Sequence, residues 1–203
     1  MNSRIKEGDL KIDRIKIAMK IEGKINRNEC SLLYDLASKV QCAAIVEIGN
    51  YRGRSTVALA MGSLDGSNAP VYTIDPHRGA AGPRTPNRMH SWRDREVFLR
   101  NLCKTGSCRV VKPIDLMSEE VARGWKEKIE LFWVDGRHDY EHVKMDFKAF
   151  SPFVINGGLI VLHDSFNTRF EGPARVVQEA LNTRRFEKVN EVGCSTVLRK
   201  NKE

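Results

Sequence analysis

No run in this 203-residue chain approaches the roughly 18 consecutive apolar residues of a membrane-spanning helix, which argues against a helical membrane protein. The opening segment MNSRIKEGDLKIDRIK carries a charge every few residues and no apolar core, so no secretory signal is expected and a cytoplasmic location is the default. There is no C-x-x-C pair, and the cysteines (Cys30, Cys42, Cys103, Cys108, Cys194) are odd in number. Both facts argue against a disulfide framework and a zinc site, leaving free thiols. No internal repeat, low-complexity stretch or linker-like composition interrupts the chain, so residues 1–203 read as one domain, with 1–40 as N-terminal helices.

What is present is charge, unevenly placed. The net charge is +8, and the segment from Arg78 to Lys112 holds nine basic residues against Asp94 and Glu96. A nucleic-acid surface is one explanation, and a solvated basic face is the other. Only Trp92 and Phe98 lie among these basic residues, too few aromatics for a base-stacking surface, so nucleic acid is not the expected partner.

Hydrophobic patterning gives the organisation. Helical periodicity covers the first 40 residues, with Gly23 separating two helices. Short apolar runs at 43–49, 70–75, 108–115, 129–136 and 157–165 read as buried parallel strands. Helices at 55–63, 92–106, 118–128, 140–154 and about 172–184 alternate with them, and strands at 186–192 and 195–199 close the chain. Strands joined by helical crossovers must lie parallel with helices on both faces, which is a doubly wound α/β sheet.

In such sheets ligands bind beyond the carboxyl ends of the strands. Polar residues stand at five of these ends: Glu47, Asp75, Asp115, Asp135 and the pair His163-Asp164. The turn VEIGNYRGRST after the first strand places Gly49 and Gly53 where backbone can approach a ligand, with Asn50 between them. Ser55 or Thr56 is expected to cap the following helix, whose free N–H groups favour an anionic group. The glycines are spaced G-x-x-x-G and not G-x-G-x-x-G, so the pyrophosphate fingerprint of dinucleotide binding is missing.

Four blocks in this order, VEIGNYRGRST, YTIDPH, LFWVDGRHDYEHVKMDF and GGLIVLHDS, resemble the class I S-adenosylmethionine-dependent methyltransferases. Within them the chain is similar to a small O-methyltransferase-like group with the pattern DGxHxYExVxxD followed by GGxIxxHD. The likeness covers residues 22–199. It implies a Rossmann-like fold, with a mostly parallel seven-stranded sheet whose last strand is antiparallel. It further implies that Glu47, Gly49 and Gly53 line the methionine portion of the cofactor, with Asn50 and Ser55 on the same turn, and that Asp75 binds the ribose hydroxyls. Asp115 lies near the adenine on this reading, or is a plain turn residue before the helix at Ser118.

Methyl transfer is an in-line displacement that needs alignment and, for a hydroxyl acceptor, removal of a proton. His138, three residues after Asp135, is the candidate base, with a loop or helix-start contact as its ordinary alternative. Asp135 and Asp164 either orient His138 and the acceptor or share magnesium or another divalent cation, as in some relatives; His163 before Asp164 departs from that metal pattern. Arg84 and Arg88, in the long loop 76–91, and His163 are the candidate acceptor contacts, and paired arginines suit an anionic group. The expected activity is methyl transfer to an oxygen of a small molecule or glycan, a sugar hydroxyl being favoured. The rivals are an RNA methyltransferase using the basic segment and a non-catalytic S-adenosylmethionine-binding protein. Isoleucines on several sides of the N-terminal helices leave open a cover over the site or a second subunit forming a homo-oligomer.

Overall fold

The computed structural model describes residues 7–77, 91–166 and 169–202. An interior strand of its sheet is β1 (Ala44–Ile48), every residue of which is buried. It pairs in parallel with β2 (Val71–Ile74) on one side and β4 (Ile129–Val134) on the other. With β3 (Val111–Ile114), β5 (Val154–Leu162), β6 (Phe186–Val192) and β7 (Ser195–Lys200), the order is β3-β2-β1-β4-β5-β7-β6. All neighbours are parallel except that β7 runs against both β5 and β6. The winding reverses between β1 and β4, so their carboxyl ends frame a crevice.

Side chains alternate between two helical layers with the period of two that a strand imposes. Ile45, Leu131, Trp133 and Val161 face α1 (Glu7–Met19), α2 (Arg27–Ser38), α3 (Arg54–Asp65) and Phe98 and Leu102 of α4 (Ser91–Thr105). Val46, Ile48, Phe132, Val134, Ile160 and Leu162 face α6 (Tyr140–Phe150) and α7 (Glu171–Asn182). Covering both faces is why the strands read as unbroken apolar runs. Among the described residues, no helix is long and apolar enough to cross a membrane.

Several expected boundaries move. The helix expected over 118–128 is only α5 (Ser118–Ala122). Gly124 interrupts it, and Trp125 turns into the second core layer, edge-on to Tyr72 at 5.0 Å. Ser118 is the first helical residue and does not cap: its Oγ donates to Asp146 Oδ1 at 2.5 Å. β5 starts at Val154, earlier than the glycines suggest, because Ile129 pairs with Val154 before a register shift. The separation of α1 from α2 at Gly23 and the end of α4 at Gly106 are as expected.

Candidate active site

The turn after β1 is built around a close approach. Gly49 has φ 83°, and a Cβ there would lie 2.1 Å from the carbonyl oxygen of Asp135, so only glycine lets β1 and β4 part at this distance. Beyond it, Asn50 N and Tyr51 N donate to Asp75 Oδ2 at 3.0 and 3.2 Å, while His77 N donates to Asp75 Oδ1 at 2.8 Å. Asp75 thus joins the end of β2 to the glycine turn. Gly53 supplies the N-terminus of α3 with φ 92°, so neither Ser55 nor Thr56 caps that helix.

Both hydroxyls turn instead to Glu47. Ser55 Oγ, Thr56 Oγ1 and Thr73 Oγ1 donate to its carboxylate at 2.5, 2.6 and 2.8 Å, and Glu47 is fully buried. Burial pushes its pKa up to about 7, against the opposing effect of the three hydroxyl bonds. Glu47 ties β1, β2 and α3 together behind the turn.

A cleft of about 730 Å³ opens at the crevice, a volume suited to a small-molecule ligand. Gly49, Asn50, Ser55, Asp75, Asp135, His138, His163 and Asp164 line it; Glu47, Gly53 and Asp115 do not. Asp115 accepts from Arg95 Nε and Nη2 at 2.8 and 2.5 Å. Arg84 and Arg88 lie outside the described residues. One wall comes from the connector between α1 and α2, where Gly23 to Asn26 reach the cleft. Arg54 fastens it, donating to Ile21 O and Ile25 O at 2.7 Å each. Glu22 adds a second tie, accepting from Tyr51 Oη at 2.8 Å and from Arg52.

At the β4 and β5 ends, acids and imidazoles alternate. His138 Nε2 lies 3.1 Å from Asp164 Oδ2 and 3.5 Å from Asp135 Oδ1. The contacts are close but poorly aligned, and Nε2 has no hydrogen bond of good geometry. Burial works against a charged His138, yet Asp135 and Asp164 outweigh it and lift the pKa to about 9. His163 Nδ1 meets Asp135 Oδ1 at 2.9 Å, and its Nε2 lies 3.5 Å from Glu29 Oε1. Despite burial, these carboxylates raise His163 to about 11. Burial opposes the charge of Asp135 as well, but the two imidazoles hold its pKa below the ordinary range. Phe170 stacks on the His138 ring with centroids 4.5 Å apart.

Donor atoms of Asp135, His138 and His163 lie within 4.8 Å of one another, close enough to share one ion. The expected metal pair was Asp135 with Asp164. His138 Nε2 instead lies within ion-pair reach of both carboxylates, and a cation there would displace its proton. Sequence reasoning passed over Glu29, His77 and Phe170. Only Glu29 left a trace, as the last residue of an Asn26-x-x-Glu29 capping box.

Comparison with known proteins bears on the family and the fold. A family model described as a methyltransferase domain matches residues 46–165. Among solved structures, the SAH-bound Podospora anserina methyltransferase PaMTH1 superposes with a TM-score of 0.71 at 16% identity, over 96% of this chain and 88% of that one. The O-methyltransferase NovP gives 0.71 at 14% identity, over 88% and 81%. The O-methyltransferase from Bacillus cereus in complex with SAH gives 0.65 at 15%, over 97% and 93%. At these identities the structures establish the shared Rossmann-like methyltransferase fold, and the match over residues 46–165 establishes the rest: the chain belongs to the methyltransferase-domain family.

Proposed function

We propose that this protein transfers the methyl group of S-adenosylmethionine to a hydroxyl oxygen of a small-molecule or glycan acceptor. The observation that carries the reading is a single cleft lined at one part by Asp75 beside the Gly49 turn, which we assign to the nucleoside, and at another by the cluster of His138 with Asp135 and Asp164. The SAH-bound neighbours support the donor, and the neighbours described as O-methyltransferases support oxygen as the acceptor atom.

When bound, S-adenosylmethionine supplies a methyl group activated on a positively charged sulfur. Asp75 is the acceptor for the ribose hydroxyls, its oxygens being held in place by the backbone N–H groups of Asn50, Tyr51 and His77. Gly49 keeps that wall free of side chain. His138 takes the proton of the acceptor hydroxyl as the new oxygen–carbon bond forms. It carries a proton of its own up to about pH 9 in the free protein. A cationic donor bound nearby lowers that value, because like charge disfavours the imidazolium. Asp135 and Asp164 hold the ring and stabilise the imidazolium that results. A sugar hydroxyl remains our favoured acceptor, with an anionic group near Arg84 and Arg88.

A second reading is favoured by the 4.8 Å spacing of Asp135, His138 and His163: a divalent cation held by this carboxylate and these two imidazoles and binding the acceptor oxygens. The basic segment offers less to RNA than its composition suggests, since Arg95 and Arg100 are paired with Asp115 and Glu96. Calorimetric titration with S-adenosylmethionine and with NAD, each with magnesium or with a chelator, tests the reading. Saturable binding of S-adenosylmethionine alone supports it; preference for NAD refutes it. Methyl transfer that persists in chelator excludes the cation and leaves His138 as the candidate base, and transfer restored only by magnesium assigns the acceptor to a metal.

A further inference from the structure

Glu29 lies in the first turn of α2, far in sequence from any strand end, and is 2% exposed. Its Oε2 accepts from Asn26 N at 2.9 Å and closes the capping box, which an exposed glutamate does equally well. Its Oε1 accepts from Cys194 N at 3.0 Å, in the turn after β6, and from Ser195 Oγ at 3.1 Å, at the start of β7. The approach needs Gly193, where a Cβ would meet Glu29 Oε1 at 2.8 Å. A buried carboxylate is costly unless hydrogen-bonded and paired with a cation. The partner on the site side is His163, whose Nε2 lies 3.5 Å from the same Oε1.

The opposite side of that ring carries the consequence. His163 Nδ1 meets Asp135 Oδ1 at 2.9 Å, and His138 Nε2 lies 3.5 Å from this same oxygen. Carboxylates on both nitrogens of one imidazole fix its plane and its rotation. We infer that Glu29 is a positioning residue for the methyl-transfer reaction: by holding Nε2 of His163 it fixes the ring that holds Asp135, and so sets how Asp135 meets His138. The inference rests on the proposed function for the word "reaction", and it makes α2 part of the reacting end.

The test is Glu29→Gln in the full chain, with Ser195→Ala as a control that removes one Glu29 bond without touching His163. Four quantities are measured: the melting temperature, the dissociation constant for S-adenosylmethionine, nitrogen-edited NMR of the histidine rings, and the rate with a panel of hydroxyl acceptors. For Glu29→Gln we expect ring signals of both His163 and His138 to move. The dissociation constant stays within about twofold while the rate falls about tenfold or more, a change of about 1.4 kcal/mol in the barrier. Ser195→Ala lowers the melting temperature alone. His138 signals and a rate equal to wild type in Glu29→Gln overturn the inference and leave Glu29 a helix cap. If no acceptor supports turnover, the His138 signals decide by themselves. If Glu29→Gln does not fold, Glu29→Asp replaces it, keeping the charge and shortening the reach: shifted His138 ring signals support the inference, and unmoved ones overturn it. Failure of the methyltransferase reading is distinct, since it shows as wild-type protein that does not bind S-adenosylmethionine.

Discussion

His138 Nε2 stands 3.1 Å from Asp164 Oδ2, with the face of the imidazole covered by Phe170. Such a ring is a strong base that is already occupied: the neighbouring acids raise its pKa to about 9 against the effect of burial. We therefore expect kcat/KM to rise with pH toward about 9 and level off there, the neutral ring being the active form. His138→Gln should remove the inflection and lower kcat by about 10²- to 10⁴-fold, the usual contribution of a general base. A flat profile between pH 6 and 9 would assign the proton to another group. The stability sign is opposite to the activity sign. A histidine raised from 6.5 in the fold stabilises fully below about 6.5 and loses that contribution as pH rises through about 9.

Asp75 and Glu47 separate two acids that look alike in sequence. Asp75 lines the cleft and is held by three backbone N–H groups; Glu47 is sealed behind the turn by three hydroxyls. Asp75→Ala should weaken S-adenosylmethionine binding by about 10- to 100-fold, the equivalent of about 1.5–3 kcal/mol for hydrogen bonds to a charged group. Glu47→Gln should leave the dissociation constant nearly unchanged and show its effect in the melting temperature. Calorimetry on the two variants checks this, and equal losses of affinity would return Glu47 to the cofactor wall.

Gly49→Ala should abolish cofactor binding and lower the melting temperature together. An L-residue at φ 83° costs about 1–2 kcal/mol. The added Cβ would also sit 2.1 Å from Asp135 O, which forces β1 and β4 apart where the cleft begins. Thermal melting and titration are read side by side. A variant that melts like the parent would mean that the strand ends yield without cost.

Much of this fold was legible because its signals are local. The unbroken apolar runs ending in Gly49, Asp75 and Asp135 mark parallel strands, and the order of motifs carries the winding and the seven strands. The site was legible only in outline. Acids at five strand ends give candidates, but a strand alternates faces, and Glu47 shares the face of Ile45, toward the core, which sends its carboxylate to Ser55 and Thr56. Asp115 pairs with Arg95, 20 residues away, a partner that no spacing rule picks out. Glu29 was hidden for a similar reason: its role depends on Cys194 and His163, brought to it by β7 and β5.

The connector between α1 and α2 offers the last test, because Arg54 holds it by two backbone carbonyls at once. Its Nε and Nη1 donate to Ile21 O and Ile25 O at 2.7 Å, on either side of Gly23, and the side chain packs where a Cβ on Gly23 would lie 2.7 Å from Arg54 Cβ. Arg54→Met keeps much of the bulk but leaves both carbonyls without their donor, which costs about 1–3 kcal/mol when such groups stay buried. We expect faster amide hydrogen exchange at residues 20–26 and weaker S-adenosylmethionine binding, since Gly23 to Asn26 form a wall of the cleft. Exchange confined to its parental rate would show that the packing of Ile21 and Ile25, both buried in the first core layer, holds the wall without the guanidinium.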